Sequence, residues 1–303
     1  MRLLTDKTVR KQVASALMEM RKIWSSSPDV QPLTVEGLEQ IGSLIFLRRR
    51  ESSELARLKF GKEMSIGLLS ALTFGCVSIA IDKHYTHRAL LPRNWISPTK
   101  KPDPNRVIHH LLVQVANHSL AIIGLIELGL DSSARVVLRA LQELCWLTVL
   151  VASDRDKMIA YCQATGHGRA RKVWSESFSS GKLRDGLLSL ERRLRFPFPA
   201  KMRRYRRNLY AFYSQSVHSS VGASTVGSYA VESPSDRRHR SSLFGATGEI
   251  SRSTLVQLNW LLFQTMTHLI HIFGSFPDYK LPKGDSVWRL ALCLIRCLPA
   301  VLR

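Results

Sequence analysis

Two side chains stand out by their setting. Residues 134–151 read Ala-Arg-Val-Val-Leu-Arg-Ala-Leu-Gln-Glu-Leu-Cys-Trp-Leu-Thr-Val-Leu-Val. The segment is apolar almost all round, which predicts a central helix over about 133–152. Arg139 and Glu143 interrupt it at i,i+4, with Arg135 and Gln142 beside them. On such a helix a charge must be paired or must face a polar cavity. A second helix is predicted over about 200–220. At 100° per residue, Arg203, Arg207, Tyr210, Ser214 and His218 fall on one of its faces, and Tyr205, Leu209, Phe212 and Ser216 on the other. Were the two polar stripes to meet, His218 could act as general acid or base and Arg139 as a phosphate ligand. Arg139, Glu143, Ser214 and His218 are therefore the candidate catalytic set. Two blander readings stand beside it: an intrahelical ion pair worth about 0.2–0.5 kcal/mol, and a stripe that merely faces water.

The residues just before that second helix carry a different chemistry. Between positions 192 and 207 stand Arg192, Arg193, Arg195, Lys201, Arg203, Arg204, Arg206 and Arg207, without one acid. Phe196, Phe198 and Tyr205 are interleaved. Cations contact phosphates and rings stack on bases, so the run suits RNA or single-stranded DNA. The alternative is that the aromatics beside Pro197 and Pro199 anchor a loop to the core. Arg237, Arg238, His239 and Arg240 form a shorter basic cluster. The whole chain agrees in sign: of 303 residues, 44 are Lys or Arg and 23 are Asp or Glu, a net charge of +21. A surplus of that size must lie on the surface and attracts polyanions. An anionic membrane face would be attracted too, but a membrane is not the expected partner. A partner protein and a homodimer are further candidates.

Other chemistries find less support. His84 with His87, and His268 with His271, are i,i+3 pairs, but no carboxylate or cysteine is suitably spaced beside either. His109 and His110 point to different helix faces. Five cysteines without a CxxC pair argue against a disulfide scaffold, a zinc finger and an iron–sulfur protein. No phosphate loop, dinucleotide fingerprint, nucleophile elbow or HExxH is present. No metal and no cofactor are expected.

Helical periodicity must position these groups. Apolar stripes at three- and four-residue steps predict helices over 6–24, 34–84, 105–128, 133–152, 154–164, 200–220, 250–274 and 286–298, with a weakly helical basic stretch over 169–195. Gly129 fits a C-cap, and Asp131, Ser132 or Ser133 an N-cap, so 105–152 reads as a helical hairpin. Leu91–Pro104, with four prolines, reads as a linker, and 221–242 as a loop. Strand signals are nearly absent. The expectation is an all-α helical bundle with an N-terminal helical extension, divided as 1–100, a core of 101–275, and a C-terminal helix over 276–303. Met64–Ile81 carries no charge over eighteen residues. Its Ser, Thr and Gly content favours a buried core helix over a membrane span. The first residues turn charged before any apolar stretch, so no secretory leader is expected, and the chain reads as cytoplasmic.

The stretch Leu125–Glu143, followed by Tyr213-Ser214-Gln215-Ser216-Val217-His218, resembles a broad, uncharacterised family of bacterial helical proteins. These share a helical hairpin, an Arg-x-x-x-Glu on its second helix and a later Ser-x-x-x-His. The resemblance covers about residues 105–275. More distantly the chain is similar to HEPN-type bundles, many of them metal-independent ribonucleases of toxin and phage-defence systems. That resemblance implies a nucleic-acid-directed protein, and cleavage of RNA in bacterial stress or phage defence. HEPN catalytic Arg and His lie close together on one helix, whereas here Arg207 and His218 lie eleven positions apart. The alternatives are a non-catalytic nucleic-acid-binding or regulatory module, and a peripheral membrane protein.

Overall fold

The computed structural model describes residues 4–24, 33–81, 104–164, 166–197, 199–218, 221–233, 238–241, 243, 245–275, 279 and 286–302. The architecture is an all-α helical bundle. Its elements are α1 (Lys7–Trp24), α2 (Val35–Ile81), α3 (Pro104–Glu127), α4 (Asp131–Ser153), α5 (Arg155–Gln163), α6 (His167–Val173), α7 (Ser180–Arg193), α8 (Pro199–Val217), α9 (Val221–Ser228), α10 (Glu249–Ser275) and α11 (Ser286–Leu302). A π-helical turn over Trp174–Phe178 joins α6 to α7. The expected linker lies almost wholly outside the described residues, as do His84, His87, Phe198 and Arg237.

Helix α4 is central. Its apolar circumference is met by α3, α5, α7, α8 and α10, and Ala134, Leu138, Leu141, Cys145, Trp146 and Val149 lie in the core. Burial pushes the Cys145 thiol up to about 12, so it is inert packing. The α3–α4 hairpin turns on Gly129, whose φ of +74° is open to glycine at little cost. A side chain there would also strike the Ala246 backbone nitrogen at 2.5 Å. The expected side-chain N-cap is absent. Leu130 holds that position, while Asp131 enters the first turn, pairs with Arg135 at 3.0 Å and accepts from Thr254 Oγ1 at 2.9 Å.

The second half of α2 joins this core. Beyond an irregular residue at Phe60, it packs against α3, α10 and α11. Residues 64–81 supply Ile66, Phe74, Val77, Ala80 and Ile81 as buried groups. By length and composition alone, α2, α3 and α4 are long and apolar enough to cross a membrane. About two thirds of the most apolar windows of α2 and α4 is nonetheless buried inside the protein. Leu68, Leu72 and Ile79 remain exposed along one edge of α2.

One local expectation is corrected. Residues 221–242 are not a plain loop: α9 fills 221–228, and Tyr229–Ser233 pairs antiparallel with Arg238–Ser241 as strands β1 and β2. A two-stranded ribbon is marginal on its own, and this one leans on α9 and α10. That tertiary support is invisible to an alternation pattern.

Candidate functional site

Helices α4 and α8 bring three of the four candidate catalytic residues together. Arg139 Nη2 donates to Glu143 Oε1 at 2.9 Å, and Arg139 Nε donates to Ser214 Oγ at 3.2 Å. A fourth group, Tyr210, closes the cluster. Its hydroxyl donates to Glu143 Oε1 at 3.2 Å, and its ring lies 3.4 Å beneath the Arg139 guanidinium. Arg184 of α7 approaches the same ring at 5.0 Å, and Trp146 stacks on it at 6.1 Å. The helical spacing explains the meeting: Tyr210 and Ser214 are i,i+4 on α8 and face the i,i+4 pair of α4.

The chemistry of this cluster is largely committed. The Ser214 hydroxyl donates to the Tyr210 carbonyl at 2.7 Å while its oxygen accepts from Arg139. Its proton therefore faces no base, which an activated nucleophile requires. His218 does not join the cluster. It is exposed in the turn after α8, where its backbone N–H donates to the Ser214 carbonyl at 3.0 Å. Arg203 leaves the stripe as well, clasping Asp185 of α7 through two nitrogens at 2.9 and 2.6 Å. Replacing Arg139 with alanine should cost about 1.5–3 kcal/mol, the range for hydrogen bonds to charged groups. Glu143→Gln, which keeps an acceptor for Tyr210, should cost less than half as much. Urea midpoints of the two variants check this, and equal losses would refute it.

The basic run divides in two. Arg192, Arg193, Arg195, Lys201, Arg203, Arg204 and Arg207 are exposed on the α7–α8 face. Arg206 is not. It is 3% exposed and buried against Glu191, so it cannot touch a nucleic acid there. The cause is the helix phase: α8 turns Arg206 and Tyr213 inward, with Leu209 and Tyr210 half-buried beside them. Tyr205 and Phe212, placed by the sequence on the face opposite the polar stripe, are exposed.

Arg206 belongs to a site that sequence reasoning missed. Its Nη1 donates to Glu191 Oε2 at 3.0 Å, and its Nη2 donates to Oε1. His268 of α10 reaches the same Oε1 with Nε2 at 3.0 Å, while its Nδ1 faces the Gln264 carbonyl at 2.6 Å. So His268 does have a carboxylate beside it, from another helix. The Arg206 fork engages both oxygens of that carboxylate. Among the described residues no three His, Cys, Asp or Glu gather as a metal would need.

Burial by itself would raise the Glu191 carboxyl. The hydrogen bonds from His268 and Arg206, with their positive charge, outweigh it and hold the pKa below the ordinary carboxylate value. A folded pKa below the unfolded one means stability that is present above the unfolded value, about 4.3 for Glu. That stability is lost as pH falls through the folded value. Stability measured in urea should therefore drop below about pH 4.3, and Glu191→Gln should remove part of that drop. Parallel pH profiles for the two proteins would refute the assignment.

Beyond this triad opens a cleft of about 470 Å³ between the α7–α8 connection and α10. Phe196, Trp260, Phe263 and His271 line it together with Arg195 and Gln264. The Phe196 ring stacks on His268 at 4.8 Å with 7° between planes. A Schellman turn aims it there: Phe196 N–H bonds the Glu191 carbonyl at 2.9 Å and Arg195 N–H the Arg192 carbonyl at 3.2 Å. Arg195 holds the left-handed position of that turn, with a φ of 57°.

No protein-family model, no curated protein and no solved structure matches this chain.

Proposed function

We propose that the protein binds single-stranded nucleic acid, RNA or DNA, along the basic face of α7 and α8. The observation that carries this reading is the run of seven exposed cations within the sixteen positions 192–207, one of which, Arg195, lines an aromatic cleft. Phosphates would neutralise the cations, and bases have rings to stack on. The resemblance to HEPN-type bundles supports the same class of partner and, with it, a role in bacterial stress or phage defence. Binding without cleavage is the reading the side chains favour. The Ser214 hydroxyl is engaged by the Tyr210 carbonyl and by Arg139, and among the described residues no side-chain hydrogen bond joins His218 to Arg139 or Glu143. The purified protein should bind a fluorescent single-stranded RNA with affinity that falls steeply from 50 to 200 mM salt. It should leave that RNA intact in the absence of added metal. Salt-independent binding would sink the proposal. Cleavage abolished by His218→Ala would move the reading to a ribonuclease centred on Arg139, Glu143, Ser214 and His218.

One observation favours a second reading. Leu68, Leu72 and Ile79 form an exposed apolar edge on α2 of a chain whose net charge is +21, a combination that suits a peripheral contact with an anionic bilayer. Flotation with phosphatidylserine-containing vesicles tests it. On the nucleic-acid reading, single-stranded RNA should compete the protein off such vesicles. Binding that persists against RNA and is lost in Leu72→Ser would favour the membrane.

A further inference from the structure

We propose that the cleft between the α7–α8 connection and α10 holds one unstacked base of the single strand, with Trp260 as the stacking ring and Arg195 as the ligand of the adjoining phosphate. The inference rests on the nucleic-acid reading and adds the place where a base is held.

Four observations lead to it. The cleft volume, about 470 Å³, falls in the range of small-molecule sites and exceeds what a single base needs. Its walls are rings: Phe196 is stacked on His268, and Phe263 meets Trp260 edge-on at 6.0 Å. Trp260 is 43% exposed. A tryptophan left that open on a core helix is a surface on which a base can stack.

The polar back wall is already satisfied. Glu191, Arg206 and His268 consume one another's hydrogen bonds, so they shape the cleft and need no ligand to stabilise them. Gln264 differs. Its carbonyl accepts from His268, but its side-chain amide lines the cleft without a hydrogen-bond partner among the described residues. An amide carries both a donor and an acceptor, the pair a base edge can meet.

Backbone strain marks the rim. Arg195 is the one non-glycine residue with positive φ among the described residues. Glycine is the usual occupant of this Schellman position and would relieve the strain. An arginine there places a guanidinium in the lining of the cleft. The charge matches a phosphate diester, and the rings match the base attached to it.

The test compares a mixed-sequence single-stranded RNA with an abasic oligomer of equal length and charge. The wild type should bind the intact strand more tightly. Trp260→Ala should weaken the intact strand roughly 5–150-fold, the range for loss of one stacked base, and leave the abasic oligomer unchanged. Trp260→Phe should restore most of the loss. Arg195→Gly should weaken both oligomers while its melting temperature stays level or rises. Equal binding of intact and abasic strands by the wild type overturns the base site while leaving the nucleic-acid reading standing. So does an equal loss of both strands in Trp260→Ala. If neither oligomer binds, nucleoside 5′-monophosphates decide. Binding of these that is lost in Trp260→Ala keeps the cleft and removes the strand-binding face, and no binding overturns both.

Discussion

Replacing Glu191 with alanine is expected to destabilise the protein by about 3–5 kcal/mol, the cost of breaking a buried ion pair by removing one partner. Arg206 and His268 are 3% and 4% exposed. Without the carboxylate, the Arg206 guanidinium would remain in the core with no counter-charge, and His268 would lose its hydrogen-bond partner on α7. With about 2–4 °C lost per kcal/mol in a domain of this size class, the melting temperature should fall by roughly 6–20 °C. The single loss is mostly the penalty on the orphaned partners, not the worth of the pair. The double variant Glu191→Leu with Arg206→Met should therefore recover most of it, because apolar groups of similar volume can replace a buried pair at little cost. A thermal melt of Glu191→Ala within 2 °C of wild type, or a double variant as unstable as the single one, would refute this account of the core.

The second large effect concerns binding. Changing Arg192, Lys201, Arg204 and Arg207 together to alanine should flatten the salt dependence of RNA binding. Each phosphate contact on a single strand contributes about 0.7 to the slope of log affinity against log salt, so losing four lowers it by about 2.8. Over a fourfold change in salt that is roughly a fifty-fold difference in affinity lost. All four residues are exposed, and Arg206 is left in place because it supports the core. The control removes the same charge elsewhere: Arg48, Arg49, Arg50 and Lys59, exposed on α2. That variant should keep a slope near wild type. Equal flattening by both variants would mean that net charge, and not the α7–α8 face, attracts the strand.

How much of this was legible in the residues themselves follows from how far each signal reaches along the chain. The helices were, because an apolar stripe repeats every three or four residues within one element. So α3, α4, α8 and α10 fall within a few residues of their expected bounds. The central place of α4 was legible from its apolar circumference. The meeting of Arg139 and Glu143 with Ser214 was legible too, since a charge pair on a buried helix demands a polar neighbour and α8 carried a polar stripe.

What only the tertiary structure decided is the phase of α8 and everything that hangs on it. Arg206 and Arg207 are adjacent in a run of like charge, and composition treats them alike. Packing turns one into the core and the other to solvent, because Glu191 lies fifteen residues before Arg206 and seventy-seven before His268. A buried carboxylate is what makes a buried arginine affordable, and no local pattern reports a partner at that distance. The same holds for His218: its spacing from Ser214 put it on the right stripe, but at the last turn of α8 the chain leaves it exposed to solvent. Periodicity is a property of one segment. Which face meets which neighbour is settled by the burial of many segments at once.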